Sequence, residues 1–318
     1  MFRLNKETRT TLVSMALLSS AAMLWAGNFV VGRFLRGDLP PVSLSYWRWV
    51  LALLILLPLD FGQIRRYRKL ILAEWKLIGA IGAVGFAAYP VFVYQALTTT
   101  TALNALLMLA TVPLLIALAA WIVMRERVTG QQVCGMVLSL VGAAVVLSHG
   151  DIDVLRRLQL NQGDLWMAAA VPLWAAYAVL IERRPRQLPP RTMLTASVVA
   201  GVILLTPVYL WQVAHGERIS LTTPNLLGLL YVAVFVSALG FMLWNQGVVG
   251  LDPNQAGAFV NLIPVFGALL SIVFLGEQVA LYHLVAAGLV FGGIVLSSRF
   301  VMPKRPAEAE YAPVMKRL

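Results

Sequence analysis

Long apolar segments follow one another along almost the entire chain, and this pattern limits its fold more than any other feature. Each segment is about 18–23 residues long, enough for a helix to cross the roughly 30 Å hydrocarbon core of a bilayer. We therefore predict an all-α integral membrane protein with ten transmembrane helices. The predicted spans are 11–33, 43–60, 77–97, 102–124, 129–148, 164–181, 192–213, 225–247, 254–275 and 279–299.

Composition and charge agree with a multi-pass membrane protein. Hydrophobic residues make up 60% of the chain and charged residues 12%, against about 25% charged residues in soluble domains. The net charge of +11 would suit a nucleic-acid partner if it formed one patch. Instead, 19 of the 25 Lys and Arg residues fall in predicted cytoplasmic segments when the N-terminus is placed inside. This is the positive-inside bias, so we expect cytoplasmic termini and no nucleic-acid partner.

Rare residue types recur with a fixed shift of 151 residues. Gln95, Pro113, Glu126 and Gly142 reappear as Gln246, Pro264, Glu277 and Gly293. Each copy holds five predicted spans, an odd number, so the second copy must start from the opposite side of the membrane. Inverted repeats of this kind are typical of secondary transporters, whose substrate sites lie near the bilayer midplane.

Charge supports this inversion. The loop after the fourth span carries Arg125 and Arg127, whereas the equivalent positions of the second copy are Gly276 and Gln278. We divide the chain into a first repeat at 1–150, an outer linker at 151–163, a second repeat at 164–300 and a cytoplasmic tail at 301–318.

Several short motifs connect the chain to a known family. LWAGNFVVGRFL lies in the first span, RWVLALL in the second and YQAL in the third, and each copy closes with Pro, a hydrophobic stretch, Glu and a Gly-bearing helix. Over residues 15–300 the chain resembles the EamA branch of the drug/metabolite transporter superfamily. The resemblance implies export of amino acids and related metabolites across the bacterial inner membrane. The seventh span departs from the second because it has no arginine matching Arg48.

Polar and aromatic residues deep inside apolar spans are the candidates for a substrate site, because such side chains usually face other helices or a cavity. Trp25 and Asn28 are three residues apart and share one helix face. Trp174 and Tyr177 match them in the second copy at a shift of 149 residues, within LWA in both cases. The predicted substrate-binding residues are Trp25, Asn28, Arg48, Tyr89, Tyr94, Gln95, Asn104, Trp174, Tyr177, Trp244, Asn245, Gln246 and Asn261. The predicted hinge residues are Pro90, Pro113 and Pro264.

Each candidate also has a structural interpretation. The glutamines suit interhelical hydrogen bonds, the prolines suit fixed bends, and Glu126 and Glu277 suit helix N-termini. Gly135 and Gly142 of the fifth span suit close helix packing. We expect the fifth and tenth spans to pack together as a scaffold and spans 1, 3, 4, 6, 8 and 9 to bound a central cavity. Arg48 either extends toward the membrane surface, pairs with a polar group or binds an anionic group of the substrate. Six tryptophans near predicted span ends read as an interfacial belt. They are Trp47, Trp49, Trp75, Trp121, Trp166 and Trp211.

The motifs that are missing narrow the function. The sequence has no GxxxxGK[ST] motif for ATP, no HExxH motif, a single cysteine and no carboxylate in the middle of a predicted span. We therefore expect no metal, no cofactor and no enzymatic activity. The preferred function is a monomeric secondary transporter or facilitator of small, neutral or zwitterionic metabolites, with the lipid bilayer as its surroundings. The alternatives are a passive channel-like facilitator and an integral-membrane lipid-modifying enzyme.

Reporter fusions test the predicted topology. A reporter inserted after Asn161 should respond as external, and one inserted after Ala307 should respond as cytoplasmic, because an odd number of spans separates the two positions. Alkaline phosphatase and green fluorescent protein activities in whole cells measure the two locations. The same location for both sites would contradict the inverted repeat.

Overall fold

The computed structural model describes residues 6–125, 128–158, 160–217, 219–220, 222–251, 253–275 and 279–298, and within them the fold is entirely helical. Eight helices in this part of the chain are long and apolar enough to cross a membrane, and two shorter apolar stretches cover Gln255–Leu270 and Leu281–Ser297. The all-α prediction is confirmed, and the count of ten spans stays a prediction. Glu126, Glu277 and the tail at 301–318 lie outside the described residues.

The helices follow the predicted spans in order. They are α1 (Lys6–Leu35), α2 (Pro41–Ala73), α3 (Trp75–Thr99), α4 (Ala102–Leu109 and Val112–Met124), α5 (Gly130–Leu147), α6 (Gln162–Glu182), α7 (Pro190–Ala214), α8 (Thr223–Gly250), α9 (Pro253–Ala258 and Leu262–Leu275) and α10 (Leu281–Ser298). A short helix, Ile152–Arg156, lies between α5 and α6.

The helix that contains the second predicted span is much longer than the span itself. The second span was expected to end at residue 60, but α2 continues to Ala73 and takes in the basic segment 65–69. Hydropathy marks where apolar side chains stop, whereas a helix continues through Arg and Lys, which are good helix formers. As a result, Asp60 lies inside a helix and is buried.

α3 and α8 each contain a π-helical segment in the same register. Gly82–Ala88 in α3 and Val232–Gly240 in α8 overlap when shifted by 151 residues. In α3 the wide turn precedes Pro90, which has no backbone N–H to donate. The equivalent residue in α8 is Phe241, and here the Ser237 hydroxyl donates to the Val232 carbonyl, five residues back, at 2.8 Å.

α4 and α9 are both interrupted just before a proline. α4 breaks at Ala110–Thr111, and Pro113 lies in the first turn of its second half. α9 passes through a 3₁₀ turn at Phe259–Asn261 before Pro264. Proline is favoured in the first turn of a helix, where its missing N–H has no partner in any case. Pro113 therefore starts a half-helix and does not kink a continuous one.

Small residues let α5 and α10 pack closely, as expected for a scaffold pair. A side chain on Gly135 would meet the backbone oxygen of Gly293 at 2.6 Å, and one on Gly142 would meet the Ala286 oxygen at 2.9 Å. The Ser139 hydroxyl donates to the Gly135 carbonyl at 3.0 Å in the same contact. Close approach through small residues is the usual way that helices associate in lipid.

The substitutions Gly293→Ala and Gly288→Ala, both in α10, test this contact. A Cβ atom on Gly293 would lie 2.5 Å from the Gly135 oxygen, whereas one on Gly288 meets nothing within 4 Å. We expect Gly293→Ala to lower the thermal midpoint of the purified protein by several degrees. Gly288→Ala should leave it unchanged or raise it slightly, because Ala favours a helix over Gly by roughly 1 kcal/mol. Equal midpoints for the two variants would contradict the close packing.

Candidate functional site

A central cavity with an empty volume of about 430 Å³ lies among α1, α2, α3, α4, α6, α8 and α9. Its lining residues are Trp25, Asn28, Phe29, Arg48, Trp49, Gly85, Tyr89, Pro90, Leu109, Trp174, Val236, Phe241, Val260 and Ile263. This volume counts all the space between the lining atoms, including space open to solvent. The π-helical segments of α3 and α8 and the breaks of α4 and α9 all border this cavity. The second span is absent from the expected cavity boundary although Arg48 is a predicted site residue, and α2 enters the wall through Arg48 and Trp49.

Aromatic rings from both copies of the repeat meet beside the cavity. The rings of Trp25 and Trp174 lie edge to face, with centroids 5.1 Å apart and an interplanar angle of 88°. Trp244 lies 5.2 Å from Trp25, and Tyr89 lies 5.0 Å from Trp174. These separations are typical of favourable aromatic pairs. The structure thus brings together the two tryptophans that the repeat register matched.

The π-helical segment of α8 fixes the position of Trp25. The indole N–H of Trp25 donates to the Val236 carbonyl at 3.0 Å. The same ring lies against Gly240, where any side chain would overlap it. Tyr231, at the start of this segment, donates its hydroxyl to the Leu24 carbonyl on α1 at 2.9 Å. Two side-chain hydrogen bonds therefore join α1 to α8 beside the cavity, and Gly240 leaves room for the Trp25 ring between them.

Arg48 is turned inward and forms a hydrogen-bonded network across four helices. Its Nε–H donates to the Ser237 hydroxyl at 2.7 Å, and an Nη–H donates to the Tyr94 hydroxyl at 2.6 Å. The Tyr94 hydroxyl in turn donates to Asn28 Oδ1 at 2.9 Å. The network joins α2, α8, α3 and α1, and Arg48 is only 3% exposed. This arginine does not extend to the membrane surface.

Other predicted site residues are buried in contacts beside the cavity. Asn245 donates to the Tyr177 hydroxyl and to the Phe241 carbonyl, both at 2.8 Å. Asn261, in the 3₁₀ turn of α9, is fully buried, and neither atom of its amide group has a partner among the described residues. Tyr94, Trp244, Tyr177 and these two asparagines support the cavity wall without lining it.

Three predicted residues lie away from the central cavity. Asn104 donates to both Asp164 carboxylate oxygens at 3.4 Å, where α3 ends and α6 begins. Gln95 is half-buried on α3, and Gln246 is exposed on α8. Gln246 contributes instead to a second pocket, described below.

Polar contacts hold this end of the bundle together. Asp164 accepts a hydrogen bond from the Thr100 hydroxyl and another from the Asn161 backbone N–H. Arg33 of α1 donates to the carbonyls of Leu97 and Thr98 at 2.6 and 3.3 Å. A cation is favourable at a helix C-terminus, where carbonyl groups lack partners. α1, α3, α4 and α6 are thereby tied to one another.

A second pocket, with about 780 Å³ of empty volume, lies between α1, α2, α7 and α8. Asp60 and Arg191 line it and form a salt bridge at 3.1 Å between α2 and α7. The Thr192 hydroxyl also donates to Asp60 at 3.2 Å. Asp60 and Asp164 are the buried carboxylates in the described part of the chain, and both have polar partners. The described residues contain no cluster of His, Cys, Asp and Glu that could hold a metal ion.

Sequence reasoning missed Trp49. It was assigned to the interfacial belt, but it is fully buried and lines the cavity, with Phe86 at 4.8 Å and Phe241 at 5.1 Å between ring centroids. The error arises because the position of a residue along a span does not show the direction in which its side chain points. Trp75, Trp121 and Trp211 are exposed, as a belt requires.

Comparisons with known proteins support the division of the chain into two repeats. The profile of the EamA-like transporter family matches residues 12–148 and again residues 161–299. The chain is 26% identical over 292 residues to YyaM, an uncharacterized transporter of Bacillus subtilis, covering 91% of this chain and 94% of that protein. It is 26% identical over 236 residues to a probable terminal-alkyne amino-acid exporter of Streptantibioticus cattleyicolor, covering 72% and 75% of the two chains. A solved crystal structure shares the fold with a TM-score of 0.71 at 20% identity, covering 91% of this chain and 96% of that chain.

The Arg48 network predicts unequal effects of removing two tyrosine hydroxyls. Tyr94→Phe deprives both Arg48 and Asn28 of a partner, whereas the Tyr89 hydroxyl makes no hydrogen bond to the described residues. Removing one partner of a buried charged group costs about 1–3 kcal/mol. We expect Tyr94→Phe to lower the thermal midpoint in detergent by several degrees and Tyr89→Phe to leave it near the wild-type value. An unchanged midpoint for Tyr94→Phe would show that the network adds nothing to stability.

Proposed function

The chain belongs to the EamA-like transporter family, and from this membership we propose that it exports small zwitterionic metabolites across the bacterial inner membrane. The proposed substrates are amino acids with aromatic or other neutral side chains. The observation that carries this proposal is the aromatic cavity built by both copies, with Trp25 of one copy against Trp174 of the other. The proposal includes ten spans, opposite orientation of the copies and cytoplasmic termini.

The composition of the cavity wall favours this substrate class. Six aromatic residues and several aliphatic ones line the cavity around a single charged group, Arg48, and one amide, Asn28. Aromatic rings stack with a substrate ring and attract an ammonium group through their faces. The relative from Streptantibioticus cattleyicolor named as a probable amino-acid exporter supports the same class.

We further propose that the described conformation is closed on the outer side. In the predicted orientation, the Arg33 contacts and the Thr100–Asp164–Asn104 cluster lie at the outer ends of their helices. The second pocket lies on the cytoplasmic side, between the helices that Asp60 and Arg191 join. A substrate would reach the cavity from this side, and the outer cluster would separate when the substrate leaves.

Four irregular segments are the proposed moving parts. Pro90 follows the π-helical segment of α3, and Pro113 and Pro264 follow the breaks of α4 and α9. The fourth is the π-helical segment of α8, Val232–Gly240. A backbone that lacks part of its regular hydrogen bonding bends more easily than a continuous helix. α5 and α10 lack such segments in their described parts and would stay fixed while the others tilt.

Flux measurements in proteoliposomes test the function. Labelled amino acids and nucleosides should be offered as a panel, with and without a pH gradient. We expect saturable uptake of aromatic amino acids that accelerates when unlabelled substrate is present on the opposite side, because a carrier returns faster when loaded. Uptake that does not saturate and does not respond to opposite-side substrate would indicate a channel. Flux of no amino acid would reject the substrate class.

Two tryptophan substitutions, one in the cavity wall and one on the protein surface, can be compared in the same flux assay. Trp174→Leu removes a ring that faces Trp25 and Tyr89, whereas Trp121→Leu removes a lipid-exposed ring that is 58% accessible. We expect Trp174→Leu to lower phenylalanine flux about tenfold, equivalent to roughly 1.4 kcal/mol. Trp121→Leu should transport normally. Thermal midpoints measured in parallel identify any variant that has lost its fold, and normal flux through Trp174→Leu would remove this ring from the site.

A further inference from the structure

Arg48 carries a positive charge in the interior of the bundle, and no acidic residue among those that the structure describes forms an ion pair with it. The described ion pairs join Arg191 to Asp60 and Arg156 to Asp153, and neither includes Arg48. Asp60 is twelve residues further along α2, about 18 Å away along the helix axis. The groups that do contact the guanidinium are the neutral hydroxyls of Ser237 and Tyr94 and the rings of Trp49 and Tyr94, at 5.0 and 5.5 Å.

An unpaired cation at this depth needs a reason. Taking a charge out of water has a large desolvation cost, which hydrogen bonds to neutral groups offset only partly. Arginines inside transmembrane helices usually reach the surface or pair with another group. Arg48 cannot reach the surface in this conformation, because two hydrogen bonds hold it beside the cavity that it lines.

The surrounding wall has an excess of hydrogen-bond donors. Trp49 and Trp174 line the cavity, and their indole N–H groups are buried without an acceptor among the described residues. An indole nitrogen can only donate, and a guanidinium has five N–H donors and no acceptor. Buried donors are normally satisfied, so each of these two N–H groups lacks an acceptor in this conformation.

We propose that Arg48, Trp49 and Trp174 form the subsite for the carboxylate of the substrate. This inference rests on the proposed function and adds an orientation to it. The planar fork of Arg48 matches a carboxylate, and charge-assisted bonds of this kind are the strong ones. Tyr94 and Ser237 position the guanidinium through its other N–H groups. The rest of the substrate then lies against the rings of Trp25 and Phe241, which border the same cavity.

The test compares L-phenylalanine with L-phenylalaninamide, which has the same side chain and no carboxylate. Binding to the purified full-length protein in detergent is measured by isothermal titration calorimetry, independently of transport. The wild-type protein should bind the acid at least about tenfold more tightly than the amide, as expected for a charge-assisted contact. Equal affinities for the acid and the amide would overturn the subsite without any variant.

Substitutions then test which residues produce the preference for the acid over the amide. Arg48→Gln should reduce the acid-to-amide ratio to within about twofold of unity, and Arg48→Lys should keep part of it, because a charge remains without the planar fork. Trp174→Phe removes one donor that has no protein acceptor and should reduce the ratio while keeping the fold. A ratio compares two ligands on one preparation, so partial loss of active protein does not alter it. An unchanged ratio in Trp174→Phe and Arg48→Lys would overturn the assignment even if Arg48→Gln failed to fold.

The outcomes separate this inference from the proposed function. Saturable transport of both compounds with equal affinity would leave the transporter in place and reject the carboxylate subsite. Binding and transport of neither compound would reject both. Preference for the acid in the wild type that survives in every variant would place the carboxylate elsewhere in the cavity.

Discussion

The rest of this structure depends on backbone hydrogen bonding inside a medium that offers none. Each peptide group at membrane depth must find its partner within the protein. The bundle departs from regular helices in α3, α8, α4 and α9, at the π-helical segments Gly82–Ala88 and Val232–Gly240 and at the two breaks before Pro113 and Pro264. All four places border the central cavity. The irregular backbone therefore lies beside the cavity, where the protein itself surrounds it.

Much of the architecture could be predicted from the sequence. Residue types that are rare in apolar helices identify the repeat more clearly than the overall sequence identity between the two copies does. The repeat register matched Trp25 with Trp174, and their rings lie 5.1 Å apart. Glycines predicted the close contact of α5 with α10, since a small residue has few other uses in a lipid-facing helix. The helical class followed from the length of the apolar segments alone, because an apolar segment of about 20 residues crosses a bilayer as a helix.

The parts that sequence reasoning missed share one physical origin. Hydropathy locates a residue along a helix axis but says little about the direction in which its side chain points. Trp49 and Trp47 are two positions apart, yet the first is buried in the cavity wall and the second is half-buried and bonds Tyr209. Gln95 and Gln246 lie beyond π-helical segments, where the wider turn changes the facing of all later residues. The spacing of residues along the sequence therefore could not predict that these two glutamines lie away from the cavity.

The lone guanidinium of Arg48 also bears on why the two copies form one polypeptide. The position in α7 that corresponds to Arg48, counted from the Pro-Pro pairs that precede both helices, holds Ser197. If two identical half-length chains associated around the same cavity, each would contribute its own arginine, and the two charges would repel at short range in a poorly screened interior. When both halves are encoded in one gene, a residue of one half can be substituted without changing the equivalent residue of the other. One half keeps the charge and the other remains neutral at this position, so the two sides of the cavity wall differ chemically, and the proposed substrate would have a preferred direction within it.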